Sequence, residues 1–326
     1  MKTMKPSASE FVTLRGLRHH VRTWGSASAK VKAPRAPRLF LLHGWMDISA
    51  SFQFLVDSFQ QDWHVIALDW RGFGQSEQRN EPYWFPDYLG DLDVLLDHYS
   101  PDEPACLVGH SMGGNVACLY AGVRPQRVSK LITLEGFGMK ESDPTLAPAR
   151  VAKWLDQLKT TPSFRDYANR DEFIQRLLQD NPRLKPEQAV FLMENFSVEN
   201  EDRNEEKQGS LEKRDKRLGY DADPYHKLTN PVPYHLDEAK VFWRAITAPV
   251  LWVAAQDSFI MKAFKGHEAD YAARQACYRN LQTAMLEDSG HMMHHDQPQK
   301  LAALIEGFLL AQGSDSVSDP MSDTND

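Results

Sequence analysis

The chain has 326 residues, a formal net charge of −8, 42% hydrophobic residues and 25% charged residues, a composition typical of a folded protein and not of a disordered one. The negative charge argues against a nucleic-acid partner, which would require clustered Lys and Arg, and no apolar run approaches the length of a membrane span. Three cysteines and the lack of an apolar segment behind the N-terminal lysines predict a cytoplasmic protein that binds a small molecule.

The first predicted elements are strands. FVTL and HHVRTW lie on either side of Arg15-Gly16-Leu17 and predict an antiparallel hairpin. Five continuous apolar runs follow, each ending in a polar or glycine-rich turn: LFLLHGW, WHVIALDWRG, ACLVGHSMGG, KLITLEGFG and APVLWVAAQD. Apolar strands without polar alternation are buried on both faces, which is typical of a parallel sheet covered by helices.

Helical patterns fill the gaps between these strands, as in FPDYLGDLDVLLDHY, NVACLYAGVRP and PQKLAALIEGFLLAQG. Strands that alternate with helices predict an α/β fold with a mostly parallel, doubly wound sheet. We expect its core to comprise residues 10–138 and 240–311. Between them, at 139–239, helical stretches such as VAKWLDQL replace the apolar runs and predict an inserted helical lid. The polar, acidic tail 312–326 is predicted to be disordered.

The third apolar run leads into a short motif with catalytic potential. Gly109-His110-Ser111-Met112-Gly113 fits G-x-S-x-G and lies between the buried run ACLV and the helix GNVACLYAGV. This strand–turn–helix context is the one that a nucleophile elbow requires. Both glycines have a steric reason, because a Cβ in so sharp a turn would collide with neighbouring backbone. Ser111 would then lie at a helix N-terminus, where free N–H groups favour negative charge.

These features resemble the α/β-hydrolase superfamily, in its serine-nucleophile form with a helical lid, over nearly the whole chain from Phe11 to Leu310. HGW after the third strand is similar to the family's oxyanion loop, and DWRGFGQS is similar to its D-x-R-G-x-G-x-S loop. The resemblance implies that Trp45 and Met112 donate the two backbone N–H groups of an oxyanion hole. It also implies an α/β-hydrolase fold with the helical lid inserted as a cap.

The resemblance further implies a catalytic triad in the order Ser, Asp, His. LWVAAQD places Asp257 at the family's usual acid position, and SGHMM provides His291 as the base. Glu135, which ends LITLE just before the lid, is the alternative acid, since some superfamily members carry theirs there. A serine hydroxyl is a weak nucleophile until an imidazole takes its proton, and the carboxylate fixes the tautomer of that imidazole.

The three histidines in DSGHMMHHDQP could instead form a metal site, because the spacing of His291, His294 and His295 would place them on one helical face. A zinc protease would need H-E-x-x-H, and Met292 and Met293 follow the first histidine instead. We therefore predict no metal and no cofactor. His294 and His295 are expected to be structural or to line the pocket.

The predicted function is a serine hydrolase that cleaves a small, fairly apolar carboxylic ester, lactone or related acyl compound through an acyl-enzyme. Ser111 argues against dehalogenases and epoxide hydrolases, which carry Asp at the elbow. A carbon–carbon bond hydrolase, a cofactor-free perhydrolase or a peptidase of the same fold remain alternatives, as does a non-catalytic member that binds a ligand. Five aromatic residues are candidates for the pocket wall: Trp84, Phe85, Phe137, Trp154 and Trp243.

Overall fold

The computed structural model describes residues 4–25, 38–200 and 217–311, so the predicted disordered tail lies outside the described residues. The strands are β1 (Ser7–Leu14), β2 (Leu17–Trp24), β3 (Arg38–Leu42), β4 (His64–Leu68), β5 (Ala105–His110), β6 (Val128–Leu134), β7 (Ser197–Asn200), β8 (Arg217–Tyr220), β9 (Val250–Ala255) and β10 (Leu281–Leu286). The α-helices are α1 (Gln53–Ser58), α2 (Phe85–Tyr99), α3 (Met112–Val123), α4 (Ala147–Gln157), α5 (Arg170–Asp180), α6 (Pro186–Phe196), α7 (Leu236–Ala245), α8 (Phe259–Phe264), α9 (Glu268–Gln275), α10 (Met293–Asp296) and α11 (Pro298–Leu310). None of the described helices is long and apolar enough to cross a membrane.

Eight strands form one sheet in the order β1-β2-β4-β3-β5-β6-β9-β10. The pairs β1–β2 and β2–β4 are antiparallel, and all other neighbours are parallel. The prediction of a mostly parallel α/β sheet is therefore confirmed, and the five apolar runs form β3, β4, β5, β6 and β9. Strand β10 was not predicted from the sequence, because this edge strand has no continuous apolar run and only its Leu286 is fully buried.

The sheet is buried on both faces. Alternate residues of β3 pack into different clusters, with Phe40 and Leu42 on the side of α2, α3 and α7 and Leu39 and Leu41 on the side of α1 and α11. This two-sided burial explains why the strand lacks polar alternation. It also leaves the carboxyl ends of the strands as the edge at which loops can carry functional groups.

The segment predicted as the lid contains α4, α5 and α6, and also a small antiparallel sheet that was not predicted. Its strands β7 and β8 pair with Ser197 opposite Tyr220. Each strand has only four residues, which is too short for a clear alternation of apolar and polar residues in the sequence. Apolar residues of α5 and α6 form a cluster with Ile48 and Ala50, which lie in the loop after β3. This part of the lid is therefore packed directly on a loop at the carboxyl edge of the sheet.

Candidate active site

Ser111 joins the end of β5 to the start of α3. Its backbone torsions, φ 50° and ψ −113°, lie in a region that residues other than glycine rarely adopt. The Ser111 N–H donates to the carbonyl oxygen of Leu134 at 2.8 Å, and the Ser111 carbonyl accepts from the N–H of Asn115 at 3.0 Å. The strained turn is thus held by β6 on one side and by α3 on the other.

Gly109 and Gly113 allow this turn to close. A Cβ on Gly109 would contact the carbonyl of Gly113, and a Cβ on Gly113 would contact the carbonyl of Leu42, both more closely than real Cβ atoms approach other atoms. Because the obstacle in each case is backbone, no side-chain rotation could relieve it. The steric reason predicted for the two glycines is confirmed.

His291 lies in the loop between β10 and α10 and faces the buried carboxylate of Glu135. The Nδ1–H of His291 donates to Oε2 of Glu135 at 2.7 Å. The other oxygen, Oε1, accepts from the N–H of Ala255 at 3.0 Å. Both carboxylate oxygens are therefore held. This arrangement places the proton of the neutral imidazole on Nδ1 and leaves Nε2 as the basic nitrogen.

Asp257, the acid that the sequence analysis placed first, follows β9 as expected, but the side-chain contact that the structure shows for it is with Arg183 and not with His291. Its Oδ2 accepts from Nη2 of Arg183 at 2.6 Å, and its side chain is 44% exposed. Arg183 belongs to the connection between α5 and α6, so this ion pair joins the segment predicted as the lid to the end of β9. The strand order does not decide between the two acids, because β9 lies between β6 and β10, the strand that precedes His291. The structure brings Glu135, the alternative acid, to His291 instead.

The two candidate oxyanion residues, Trp45 and Met112, belong to the loop after β3 and to α3. Met112 is the first residue of α3. Gly44, just before Trp45, approaches the elbow so closely that a Cβ added to it would lie 3.2 Å from the Cβ of Ser111. The loop before Trp45 is therefore beside the serine, as an oxyanion loop must be.

His43 holds the loop that carries Trp45. Its Nδ1–H donates to the carbonyl oxygen of Gly44 at 2.7 Å, and its Nε2 accepts from the N–H of Trp70 at 2.9 Å. Both ring nitrogens are occupied by backbone groups. His43 therefore orients this loop through hydrogen bonds to the backbone.

A cavity of about 140 Å³ adjoins the elbow and is walled mainly by aromatic side chains. Trp45 and Met112 contribute to its lining together with Pro82, Tyr83, Trp84, Phe85, Tyr88, Trp154, Tyr225, His226, Leu228, Thr229 and Asn230. Of the five aromatic candidates, Trp84, Phe85 and Trp154 line this cavity. Phe137 and Trp243 are fully buried in the core instead.

His226, which no sequence motif indicated, forms part of the cavity wall. Its ring stacks between Phe73 and Tyr83, with centroid distances of 3.8 and 3.9 Å. Burial lowers the pKa of His226 to about 4, against the smaller opposing effect of Asp223. The ring is therefore uncharged near neutral pH, and this wall of the cavity is aromatic and neutral.

His294 and His295 are buried and share one partner. Their Nε2 atoms lie 2.9 and 2.7 Å from Oγ of Ser51. His291 uses its Nδ1 for Glu135 instead. His291 thus has a different partner from the other two histidines.

A family model described as alpha/beta hydrolase fold matches residues 37–298. The chain belongs to the α/β-hydrolase family. This α/β hydrolase is 28% identical over 324 residues to a serine hydrolase-like protein of Danio rerio, and the match covers 96% of this chain and 92% of the relative.

Two solved structures have the same fold as this α/β hydrolase. A thioesterase domain from the curacin biosynthetic pathway matches with a TM-score of 0.76 and 23% identity, over 93% of this chain and 99% of the domain. The esterase Rv0045c of Mycobacterium tuberculosis matches with a TM-score of 0.66 and 17% identity, over 93% of this chain and 91% of the esterase. At these identities the likeness shows the fold alone.

Proposed function

We propose that this α/β hydrolase is a serine hydrolase that cleaves a small, fairly apolar carboxylic ester or related acyl substrate through an acyl-enzyme. The observation that carries the proposal is the 2.7 Å contact between His291 and Glu135, formed at the same edge of the sheet as the strained Ser111 turn. Glu135 takes the role of the triad acid in place of Asp257. The nucleophile is Ser111 and the base is His291.

In the first half of the proposed reaction, Nε2 of His291 takes the hydroxyl proton of Ser111 while the serine oxygen attacks the carbonyl carbon. Glu135 stabilises the resulting imidazolium, and the backbone N–H groups of Trp45 and Met112 donate to the oxyanion. The imidazolium then gives its proton to the departing alcohol, which leaves the acyl group on Ser111. In the second half, a water molecule replaces the alcohol and the same proton transfers release the carboxylic acid.

The cavity supports a small and uncharged acyl group. Its volume of about 140 Å³ is well below the range of roughly 300–1,000 Å³ that is usual for larger ligands. Its wall is mainly aromatic, and the buried His226 does not add a positive charge to it near neutral pH. The thioesterase domain and the esterase that share the fold extend the proposal to thioesters. A cytoplasmic location and the lack of a cofactor stay predictions.

A fluorophosphonate probe tests the acyl-enzyme directly, because it reacts covalently with an activated serine. We expect the purified full chain to be labelled at Ser111, as located by peptide mass spectrometry, and Ser111→Ala to remain unlabelled. A panel of p-nitrophenyl esters from acetate to laurate, with thioesters of the same acyl groups, should show the highest kcat/KM for the shorter acyl chains. A folded wild-type protein that is neither labelled nor active would instead indicate the non-catalytic, ligand-binding alternative.

A further inference from the structure

A second cluster of buried polar side chains lies behind the elbow. It comprises Asp47 from the loop after β3, His110 from the end of β5 and His294 from α10, and the three residues are 3%, 1% and 0% exposed. One potential ligand atom of each residue lies within 4.8 Å of those of the other two. The proposed reaction uses none of these side chains for proton transfer.

Several atoms of this cluster have no hydrogen-bond partner within the part of the chain that the structure describes. They are Oδ1 and Oδ2 of Asp47, Nδ1 of His110 and Nδ1 of His294. Leaving one buried polar atom without a partner costs about 1–3 kcal/mol. Such atoms are rare in folded proteins, and their concentration in one small cluster indicates that a further group binds there.

The cluster is rich in lone pairs and poor in protons. Nε2 of His110 lies 2.9 Å from the carbonyl oxygen of His291. A carbonyl only accepts, so Nε2 carries the proton and Nδ1 presents a lone pair. An ionised Asp47 likewise offers only lone pairs. A water molecule could donate only two hydrogens to these atoms, whereas a cation accepts electron pairs from all of them.

Burial also keeps the two imidazoles neutral. It lowers the pKa of His110 well below its ordinary value, with a further contribution from His294. It lowers the pKa of His294 to about 3. Neutral imidazole is the form that binds metals, so neither ring must lose a proton to act as a ligand near neutral pH.

We propose that Asp47, His110 and His294 bind one divalent transition-metal ion, with Zn²⁺ as the reference species. Two imidazole nitrogens and one carboxylate oxygen form a ligand set that suits Zn²⁺, Co²⁺ and related ions, while Mg²⁺ and Ca²⁺ prefer oxygen ligands alone. The expectation of no metal was drawn from the spacing of His291, His294 and His295, which is a different set. The present site takes only His294 from that run.

The geometry allows such a site after a small adjustment. The centre of a triangle with sides of 4.8 Å lies about 2.8 Å from each corner, and zinc–ligand bonds measure about 2.0–2.2 Å, so each ligand atom would move by less than about 1 Å. One group that orients a ligand is already in place, namely the His291 carbonyl, which accepts from Nε2 of His110. A water molecule could supply the fourth ligand of a tetrahedral site.

The test is a metal titration of the full chain after treatment with a chelator. Co²⁺ is the probe because its visible absorption reports coordination by protein ligands, and Zn²⁺ is then used to displace it. We expect one equivalent of Co²⁺ to bind and one equivalent of Zn²⁺ to displace it. Asp47→Asn and His294→Gln should each weaken binding by at least about tenfold. His295→Gln is the matched control, because His295 is buried and contacts the same Ser51; its affinity should stay within about threefold of the wild type.

This binding experiment does not depend on catalysis, so its failure is distinct from failure of the proposed hydrolase activity. Lack of a one-equivalent Co²⁺ signal would overturn the proposal. Equal binding by the wild type, Asp47→Asn and His294→Gln would also overturn it, since the metal would then bind elsewhere. If these variants do not fold, as judged by circular dichroism, a zinc-soaked wild-type crystal decides. An anomalous peak between the three side chains supports the site, and an ordered water there contradicts it.

Discussion

The carboxyl ends of β6 and β9 each carry one acidic residue, and the structure treats the two very differently. Glu135 after β6 is buried and hydrogen-bonded through both carboxylate oxygens, to His291 and to the backbone of Ala255. Asp257 after β9 is exposed and pairs with Arg183 of the lid. Position at a strand end therefore does not determine the role of a carboxylate. The neighbouring strands and loops determine it.

The difference in burial has energetic consequences. An exposed ion pair such as Asp257 with Arg183 is screened by water and contributes about 0–1 kcal/mol. A buried carboxylate that loses a hydrogen-bond partner is destabilised by about 1–3 kcal/mol or more, because its charge is then less well compensated. Glu135 is thus suited to hold the imidazole of His291 in one orientation, whereas the contact of Asp257 with Arg183 costs little to break.

The largest expected effect is the loss of activity on substitution of His291, the partner of the buried Glu135. His291→Ala should lower kcat on the order of a million-fold, as removal of the base does in the related serine mechanism. His295→Gln, in the same loop region but bonded to Ser51, should change kcat by less than about tenfold, because this residue does not face the reacting atoms. Steady-state kinetics on a preferred ester measures both. Similar losses in the two folded variants would contradict the assignment of His291 as the base.

His226 can be compared with His291, because His226 is largely buried but has no carboxylate hydrogen-bonded to its ring among the described residues. The folded-state pKa of His226 is about 4, below the ordinary value near 6.5, so its contribution to stability is present above pH 6.5 and is lost as the pH falls towards 4. Between pH 7 and pH 5 the free energy of unfolding of the wild type should fall by about 2 kcal/mol more than that of His226→Phe. Urea unfolding at the two pH values checks this. Equal falls in both proteins would mean that His226 is not buried as a neutral ring.

The smallest effect is expected for the stability of variants of the exposed pair Asp257 and Arg183. Asp257→Asn and Arg183→Gln should each lower the free energy of unfolding by less than about 1 kcal/mol, because the pair is exposed to water. The double variant should lose no more than about 1 kcal/mol as well, since the second substitution removes a partner that is already unpaired. Thermal unfolding of the three variants measures these losses. A loss of several kcal/mol would place Asp257 in a role comparable to that of Glu135.

Much of the fold could be predicted because its causes are local. The apolar runs that form β3, β4, β5, β6 and β9 reflect burial on two faces, and the glycines at positions 109 and 113 reflect a turn with no room for a Cβ. Ser111 and His291 could be proposed for the same reason, since each lies in a short motif. The exposed edge strand β10 and the short strands β7 and β8 have no such pattern.

The remaining features of the site depend on distant parts of the chain. Glu135 reaches His291 and Asp257 reaches Arg183 of the connection between α5 and α6, and neither contact can be read from the residues around the two acids. Asp47 escaped notice for a similar reason. Its neighbours His110 and His294 come from β5 and α10, so the lone pairs of the cluster meet only in the folded chain.

The turnover numbers of Glu135→Gln and Asp257→Asn test the central assignment most directly. In Glu135→Gln the amide oxygen can still accept from the N–H of Ala255, but the amide nitrogen cannot accept from Nδ1–H of His291, which favours the unproductive tautomer of the imidazole. We predict that this substitution lowers kcat by up to about ten-thousand-fold, while Asp257→Asn leaves kcat within about threefold of the wild type. The reverse ranking in two folded variants would contradict the account and return the acid to Asp257.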